Sequence, residues 1–271
     1  NKDLLNAAGI AEPPTTWTEF QEQVSKITQL GPDDTILQSG AALGSGKNVE
    51  RASDILGLLM LQNGTQMVDD RERAVFGRGT DESFLAADAL RFYTDFANPL
   101  KQVYSWNNNQ PNSFDAFATG KTAFFFGYSY HAPLIRAASP KLNFAITGAP
   151  QIEGGKIVNY ANYWLETVAK SSKNSDWAWD FIEFIANTDH VQIYLNTAQK
   201  PPVRRALINT QSENEDLSAF ANQVLTAKSW YKGLNAKVAE QAFVDLIEEA
   251  LKGEELENIL SDAQNKINQT L

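Results

Sequence analysis

The chain has 271 residues, of which 33 are acidic and 23 are basic, so its formal net charge is −10. Proteins that bind nucleic acids concentrate positive charge to displace counterions from phosphates, and this acidity therefore argues against a nucleic-acid partner. The absence of cysteine excludes disulfides, thiolate metal sites and cysteine nucleophiles. Hydrophobic residues make up 43% of the chain, yet no apolar run is long enough to cross a bilayer.

The first hundred residues predict mostly helices. Thr16 and Glu19 have the spacing of a capping box, which opens an amphipathic helix after Pro13-Pro14. Asn63-Gly64 is typical of the end of a helix. The predicted elements are helices over 2–8, 16–30, 52–62 and 80–97 (with Phe84 on its apolar stripe), a strand or loop over 36–43, and a hairpin that pairs 66–68 with 74–76.

Strands and short helices alternate through the middle of the chain, and helices dominate its end. The middle predicts helices over 113–119 and 132–138, strands over 122–126 and 142–146, and extended segments from 157 and over 163–169. The remainder predicts helices over 176–186, 189–197, 217–227, 236–252 and 254–270. This alternation indicates an α/β fold, in which helices cover a sheet.

Most motifs that could carry catalysis or bind a cofactor are incomplete. Gly120-Lys121-Thr122 resembles the end of a phosphate-binding loop, but Asp115 stands where that loop requires glycine. His131 and His190 share no ligand spacing with carboxylates. Adjacent carboxylates occur on amphipathic helices, where they usually form solvated faces. The sequence therefore predicts no metal, no cofactor and no catalytic residue.

Polar and aromatic residues cluster where strands or helices are predicted to end. Ser129 is the predicted N-cap of the helix that follows strand 122–126. The clusters contain Tyr128, Tyr130 and His131; Tyr160, Asn162, Tyr163 and Trp164; Ser229, Trp230 and Tyr231; and Asn48 with Arg51. Ligands of α/β sheets collect outside the carboxyl ends of strands, and flat rings beside hydrogen-bond donors suit sugars. Alternatively, each ring is half-buried core with a satisfied polar tip.

Short motifs along the whole chain also point to a known family. Residues 1–20 combine Asn-Lys-Asp-Leu-Leu, Ala-Gly-Ile and Pro-Pro-Thr-Thr-Trp-Thr-Glu-Phe. Further motifs are Gly-Lys-Thr-Ala with Gly-Tyr-Ser-Tyr over 120–130, Asn-Phe to Ala-Pro over 143–150, Asp-Trp-Ala-Trp-Asp-Phe-Ile over 176–182, and the tail over 247–267. In this order they resemble the family 1 extracellular solute-binding proteins of ABC importers, the maltose-binding-protein-like group.

The resemblance implies a type II periplasmic-binding-protein fold, in which two α/β lobes close on a carbohydrate. Residues 1–168 and 214–271 would form mainly the C-terminal lobe, and the helical segment 169–213 would cross to the N-terminal lobe. In this family the opening motif lies well inside the mature protein, so we expect the first part of the N-terminal lobe to be missing from this sequence. The implied sugar-binding residues are Tyr130, Trp164, Tyr163, Tyr128, Asn48, Arg51 and Trp230.

The resemblance also implies partners, location and the absence of catalysis. The protein would deliver a sugar or oligosaccharide to the transmembrane subunits of an ABC permease. It would be periplasmic or extracellular, with lipid anchoring through an N-terminus that this sequence lacks. Two alternatives stay open at this point. A carbohydrate-active enzyme requires two carboxylates about 5–10 Å apart at a cleft. A ligand-free interaction module predicts buried aromatic clusters and no pocket.

Overall fold

The computed structural model describes residues 1–77 and 83–271, without the side chains of residues 83 and 84. The helices are α1 Lys2–Ala7, α2 Trp17–Ile27, α3 Ala52–Gln62, α4 Ser83–Asp95, α5 Ser113–Ala118, α6 His131–Ala138, α7 Ser175–Ile185, α8 Thr188–Ala198, α9 Ile208–Ser212, α10 Ser218–Gln223, α11 Ala236–Leu251 and α12 Leu256–Asn268. The strands are β1 Gln29–Leu30, β2 Ile36–Ala41, β3 Thr122–Phe124, β4 Asn159–Tyr160 and β5 Ala227–Lys228. Short 3-10 turns cover Pro32–Asp34, Arg205–Leu207 and Val224–Thr226.

Local signals place several of these elements. The predicted capping box is present at the start of α2: the Thr16 side chain accepts from the Glu19 backbone, and the Glu19 carboxylate accepts from the Thr16 backbone. The apolar positions of α2 then face inward, so that Trp17, Phe20 and Val24 are buried. Gly120 follows α5 with φ of +74°, a conformation that glycine adopts without strain. These features confirm the predicted helices.

The strands are short and form a mixed sheet and a separate parallel pair. In the mixed sheet β2 lies between β1, with which it is antiparallel, and β3, with which it is parallel. The parallel pair joins β4 to β5, with Asn159 opposite Ala227. Three of the clusters noted in the sequence lie at the carboxyl ends of these strands: one begins at Tyr128, four residues after β3, one at Tyr160, the last residue of β4, and one at Ser229, directly after β5.

The largest apolar core lies where helices pack on one another and on β2. It buries side chains of α2, α3, α4, α11 and α12, including Phe20, Leu56, Leu90, Phe243 and Leu260. Within it the indole nitrogen of Trp17 donates to the Gln62 side-chain oxygen at 2.7 Å. This core holds the start of α3 and the segments after β4 and β5 in fixed relation.

Several predicted boundaries differ from the structure. Residues 29–30 leave the predicted helix 16–30 because they pair with β2. The hairpin shrinks to a single bridge between Val68 and Ala74. Residues 142–146 and 163–169, all within the described ranges, form no regular strand. The Asn143 carbonyl accepts one backbone bond, from Lys2, but no neighbouring segment pairs with either stretch in a ladder. The start of the predicted helix at Thr80 and the side chain of Phe84 lie outside the described residues.

The segment from α7 to α9 has its own small core. Val191, Leu195 and Leu207 are buried together, apart from the main core. Large side chains on α7 and α8 stay exposed; they are Trp177, Trp179, Phe181, Phe184, Ile193 and Tyr194. Among the described residues, no helix combines the length and the apolar character needed to cross a bilayer.

Candidate functional site

A buried carboxylate, Asp54, is the centre of the candidate site. It lies in the first turn of α3, a helix that is otherwise almost entirely apolar, and the positive end of the helix dipole favours a negative charge there. Its Oδ2 atom accepts from Arg51 Nε and from the Tyr128 hydroxyl, both at 2.8 Å. Its Oδ1 atom accepts from Lys232 Nζ at 3.1 Å. The carboxylate thus joins three separate parts of the chain.

The cations around Asp54 determine its protonation state. Burial alone would raise the pKa of the Asp54 carboxyl, but the charges of Lys232 and Arg51 and the Tyr128 hydroxyl bond together hold this pKa below its ordinary value. The Tyr128 hydroxyl responds in the opposite sense: burial, and then the negative charge of Asp54, raise its pKa. Asp54 is therefore an anion at neutral pH, and Tyr128 is a neutral donor.

A second carboxylate balances the charges. Glu240 on α11 lies 3.2 Å from Arg51 Nη2 and 3.6 Å from Lys232 Nζ. Arg51 precedes α3 in a left-handed conformation, with φ of +58°, which is uncommon outside glycine. Two cations and two carboxylates thus form one network, which we call the Asp54 network: Arg51, Asp54, Lys232 and Glu240.

Aromatic rings flank this network. Tyr128 and Tyr130 stack with centroids 6.0 Å apart, and the Arg51 guanidinium lies 5.9 Å from the Tyr128 ring centre. Lys232 Nζ lies 5.8 Å from the ring centre of Tyr160. The Tyr163 hydroxyl is 3.3 Å from Ser229 Oγ, which links the segments after β4 and β5. The faces of these rings border the network on two sides.

Exposure separates the aromatic residues named from the sequence. Trp164 is 93% exposed, Tyr163 59% and Tyr130 47%, so their faces are open to a ligand. Trp230 is instead half-buried and packs on Phe76 and Phe243, with centroids 6.1 and 5.5 Å away. The Trp230 indole nitrogen and the Tyr160 hydroxyl are buried without a hydrogen-bond partner in the described part of the chain.

Asn48 is held inside its own loop. Its amide nitrogen donates to the carbonyls of Asn107 and Gln110, and its oxygen accepts from Ser45 and from the Trp106 indole. These bonds use the full hydrogen-bonding capacity of the Asn48 side chain.

The predicted N-cap role of Ser129 is wrong. Its backbone carbonyl accepts from the start of α6, but its side chain makes no capping bond.

The sequence interpretation missed Asp54, Lys232 and Glu240. Asp54 left a detectable signal, because a charged residue within the apolar run Ala-Ser-Asp-Ile-Leu-Gly-Leu-Leu-Met-Leu implies a buried partner. Lys232 and Glu240 gave no such signal in the sequence, since the residues next to them along the chain include other polar ones. Within the described ranges, no cluster of histidine and carboxylate side chains could hold a metal ion.

The sequence of this chain is similar to a known protein family and to curated binding proteins. The model of the family "Bacterial extracellular solute-binding protein" matches residues 1–192, which is more than half of the chain. A binding protein of Brucella abortus is 25% identical over 223 residues, covering 81% of this chain and 52% of the relative. The chain thus spans about half the length of the curated relatives that it matches.

Solved structures show the same fold. The sugar-binding protein MalE of Xanthomonas citri superposes with a TM-score of 0.78 at 20% identity, covering 99% of this chain and 66% of that one. The cyclic alpha-maltosyl-1,6-maltose binding protein of Arthrobacter globiformis superposes with a TM-score of 0.73 at 21% identity, covering 100% and 68%. The fold is thus the mixed α/β type II fold of periplasmic sugar-binding proteins. With the family model matching most of its length, the chain belongs to the bacterial extracellular solute-binding proteins.

Proposed function

We propose that this chain forms one wall of the ligand site of a sugar-binding protein, and that Trp164, Tyr163, Tyr130 and Tyr128 stack on the sugar. The single observation that carries the proposal is the set of rings on the segments that meet at the Asp54 network. Tyr128 bonds to Asp54. Tyr130, Tyr163 and Trp164, which follow on the same segments as Tyr128 and Tyr160, are exposed. Sugar rings offer C–H faces for stacking and hydroxyls for hydrogen bonds, and this surface supplies partners for both. The structural neighbours include proteins bound to tagatose, mannobiose and maltotetraose.

The charges of the network favour an uncharged sugar. Arg51 and Lys232 each pair with Asp54 and with Glu240, so neither of these two cations is left unpaired, among the residues that the structure describes, for a ligand carboxylate or phosphate. An acidic sugar would have to compete with carboxylates that are already close to both cations. We therefore propose a neutral mono- or oligosaccharide as the ligand.

The site residues divide into contacts and supports. Arg51 keeps some exposure and can donate to a hydroxyl while it holds Asp54. Asn48 and Trp230, also named from the sequence, support the site: Asn48 through its loop, and Trp230 by packing on Phe76 and Phe243. Asp54 and Lys232 position the Tyr128 and Arg51 side chains.

The separate core of the helical segment supports the proposed lobe division. Residues 1–168 and 214–271 would form the C-terminal lobe, and 169–213 would belong to the N-terminal lobe. The exposed apolar faces of α7 and α8 support this division, because such patches mark contact surfaces. The protein would deliver the sugar to the transmembrane subunits of an ABC permease. It would do so outside the cytoplasmic membrane, held there by a lipid anchor.

Three observations favour binding over the alternatives. The family and the structural neighbours are binding proteins. A retaining or inverting glycosidase needs one carboxyl group that stays protonated as the acid, whereas Asp54 is held ionised by its cations. A ligand-free module predicts buried aromatic clusters, but Trp164 and Tyr130 are exposed. We therefore propose that the protein is not an enzyme.

The test is a titration of the chain with glucose, mannobiose and maltotriose, and with glucuronate as the acidic counterpart, followed by ligand-detected NMR. We expect saturable binding of at least one neutral sugar and none of glucuronate. Trp164→Ala should weaken that binding by about fivefold, since stacking on an aromatic ring contributes about 1 kcal/mol. Preferential binding of glucuronate would contradict the neutral-ligand proposal.

Trp177→Ala is the matched control. Trp177 is a tryptophan of similar exposure, 77%, but it lies on α7 in the separate helical segment. Its removal should leave sugar affinity unchanged. If Trp164→Ala keeps affinity within about twofold, or if both variants lose it equally, Trp164 does not stack on the ligand.

A further inference from the structure

His131 is a buried histidine that is not among the proposed sugar contacts but adjoins two of them. It is the first residue of α6 and is only 5% exposed. Its ring meets that of Phe125 edge-on, with centroids 5.3 Å apart, and lies 6.3 Å from the ring of Phe114. The ring of Tyr130 lies 4.1 Å from the same imidazole. The imidazole thus connects an apolar cluster with an exposed aromatic residue of the candidate site.

His131 closes the short loop before α6, residues 127–130, which we call the Tyr128 loop. The Tyr128 backbone N–H donates to Nδ1 of His131 at 2.9 Å, and the His131 backbone N–H donates to the Tyr128 carbonyl, also at 2.9 Å. Among the residues that the structure describes, Nδ1 is the only acceptor of the Tyr128 N–H. The Tyr128 hydroxyl is bonded separately to Asp54. Tyr128 is therefore held at two points, by His131 through its backbone and by Asp54 through its side chain.

Gly127 leaves room for the imidazole at the start of the Tyr128 loop. A Cβ atom at this position would lie 2.8 Å from Nδ1 of His131 and 2.7 Å from Cε1 of Phe125. Both distances are shorter than the approach that a Cβ atom tolerates. Glycine is needed here because the ring packs directly against the backbone of the loop. The contact between the loop and His131 is therefore as close as the local sequence allows.

The bond from Tyr128 requires a neutral imidazole. A backbone N–H can only donate, so Nδ1 of His131 must offer a lone pair, and the single ring proton lies on Nε2. Protonation turns both ring nitrogens into donors. Two N–H groups would then face each other, and the bond between Tyr128 and His131 would be lost. The protonation state of this ring thus decides whether the backbone of the Tyr128 loop is held.

The surroundings of His131 favour the neutral ring near neutral pH. Burial lowers the pKa of His131 below its ordinary value of 6.5; the charge of Glu50 opposes this shift, and the charge of Arg51 adds to it. The ring also lies at the start of α6, where the positive end of the helix dipole disfavours a cation. The neighbouring hydroxyls of Tyr128 and Tyr130 stay neutral, because burial raises the pKa of each. The charge on the ring therefore changes only in mild acid.

We propose that His131 is the positioning residue of the Tyr128 loop, and that protonation of its ring in mild acid releases the loop and weakens sugar binding. The effect on sugar rests on the proposed function, in which Tyr128 and Tyr130 contact the ligand. Under that function the sugar binds the form with the neutral ring, so sugar and proton compete. Below the pKa of His131 the affinity should fall by up to about tenfold per pH unit, the slope of one linked proton.

NMR of the full chain without sugar tests the positioning role. We expect the Tyr128 amide to lose its protection from hydrogen exchange as the His131 ring titrates, with one shared midpoint below 6.5. His131→Asn places an oxygen acceptor near the position of Nδ1 that does not titrate, so the amide should stay protected from about pH 8 to 5. His131→Leu removes the acceptor and should speed exchange of this amide at least about tenfold at every pH.

His190→Asn is the matched control. His190 is the second of the two histidines in the sequence, and its Nδ1 also lies within 2.8 Å of a backbone atom, the Phe184 carbonyl oxygen, but on α8 in the helical segment. The control should leave the Tyr128 amide and its pH dependence as they are in the wild type. The same set of proteins is then titrated with mannobiose and maltotriose from about pH 8 to 5. Wild type and control should bind more weakly as the pH falls, whereas His131→Asn should bind equally throughout.

Two results would overturn the proposal. One is a Tyr128 amide whose protection does not change while the His131 ring titrates. The other is a pH dependence of amide protection or of sugar affinity that persists in His131→Asn. If neither sugar binds at any pH, the proposed function fails, whereas the Tyr128 amide still decides the positioning role of His131.

Discussion

Replacing Asp54 by asparagine tests whether the buried network organises the site. The side chain keeps its size and can still accept from the Tyr128 hydroxyl, but the charge facing Arg51 and Lys232 is lost. Breaking a buried ion pair costs about 3–5 kcal/mol. Glu240 remains 3.2 Å from Arg51 and 3.6 Å from Lys232, so the low end of that range applies. We expect Asp54→Asn to lower the free energy of unfolding by about 3 kcal/mol near neutral pH.

The effect should depend on pH in a defined direction. The folded state holds the pKa of Asp54 below its ordinary value of 3.8, so the folded protein binds this proton more weakly than the unfolded chain does. The stabilisation is therefore fully present above about pH 4 and is lost as the pH falls through the folded value. Urea denaturation should show the difference between wild type and variant shrinking below about pH 4.

Asp88→Asn is the control for this measurement. Asp88 also pairs with an arginine three residues away, Arg91, but both side chains are more than half exposed. Exposed pairs contribute little, so the control should change the free energy of unfolding by less than about 1 kcal/mol. Two results would refute the role given to the network. One is that Asp54→Asn lowers the free energy of unfolding by less than about 1 kcal/mol. The other is that the difference in free energy between wild type and variant stays the same down to about pH 3.

The same urea assay checks three further variants. Gly40→Ala should lower the free energy of unfolding by about 1–3 kcal/mol, because its Cβ atom would lie 2.5 Å from the Val24 carbonyl oxygen. An unchanged free energy of unfolding would contradict this close packing. Trp17→Phe should cost about 1–3 kcal/mol, since it leaves the buried Gln62 oxygen without its donor; a neutral result would mean that water replaces the indole. Thr16→Ala should cost about 1 kcal/mol by removing the N-cap of α2, and an unchanged midpoint would exclude that role.

The sequence by itself determined most of the helices and the family, although α9 was not predicted and the end of the predicted helix 217–227 is a 3-10 turn that leads into β5. The capping box at Thr16 and the apolar spacing of α2 and α3 depend on residues a few positions apart, which a sequence displays directly. The family motifs are likewise local strings. The aromatic residues after β3 and β4 could be singled out because they interrupt predicted elements with side chains that a core does not require.

Only the tertiary structure decided which of these residues meet. Lys232 and Asp54 are 178 positions apart, and nothing in their local sequence pairs them. Likewise Asn48 had the composition of a ligand residue, yet its amide is consumed by carbonyls about 60 positions away. The predicted strand at 142–146 also failed for a non-local reason. A strand requires a neighbour to bond its backbone, and β-pairing, unlike helical hydrogen bonding, is supplied by distant parts of a chain.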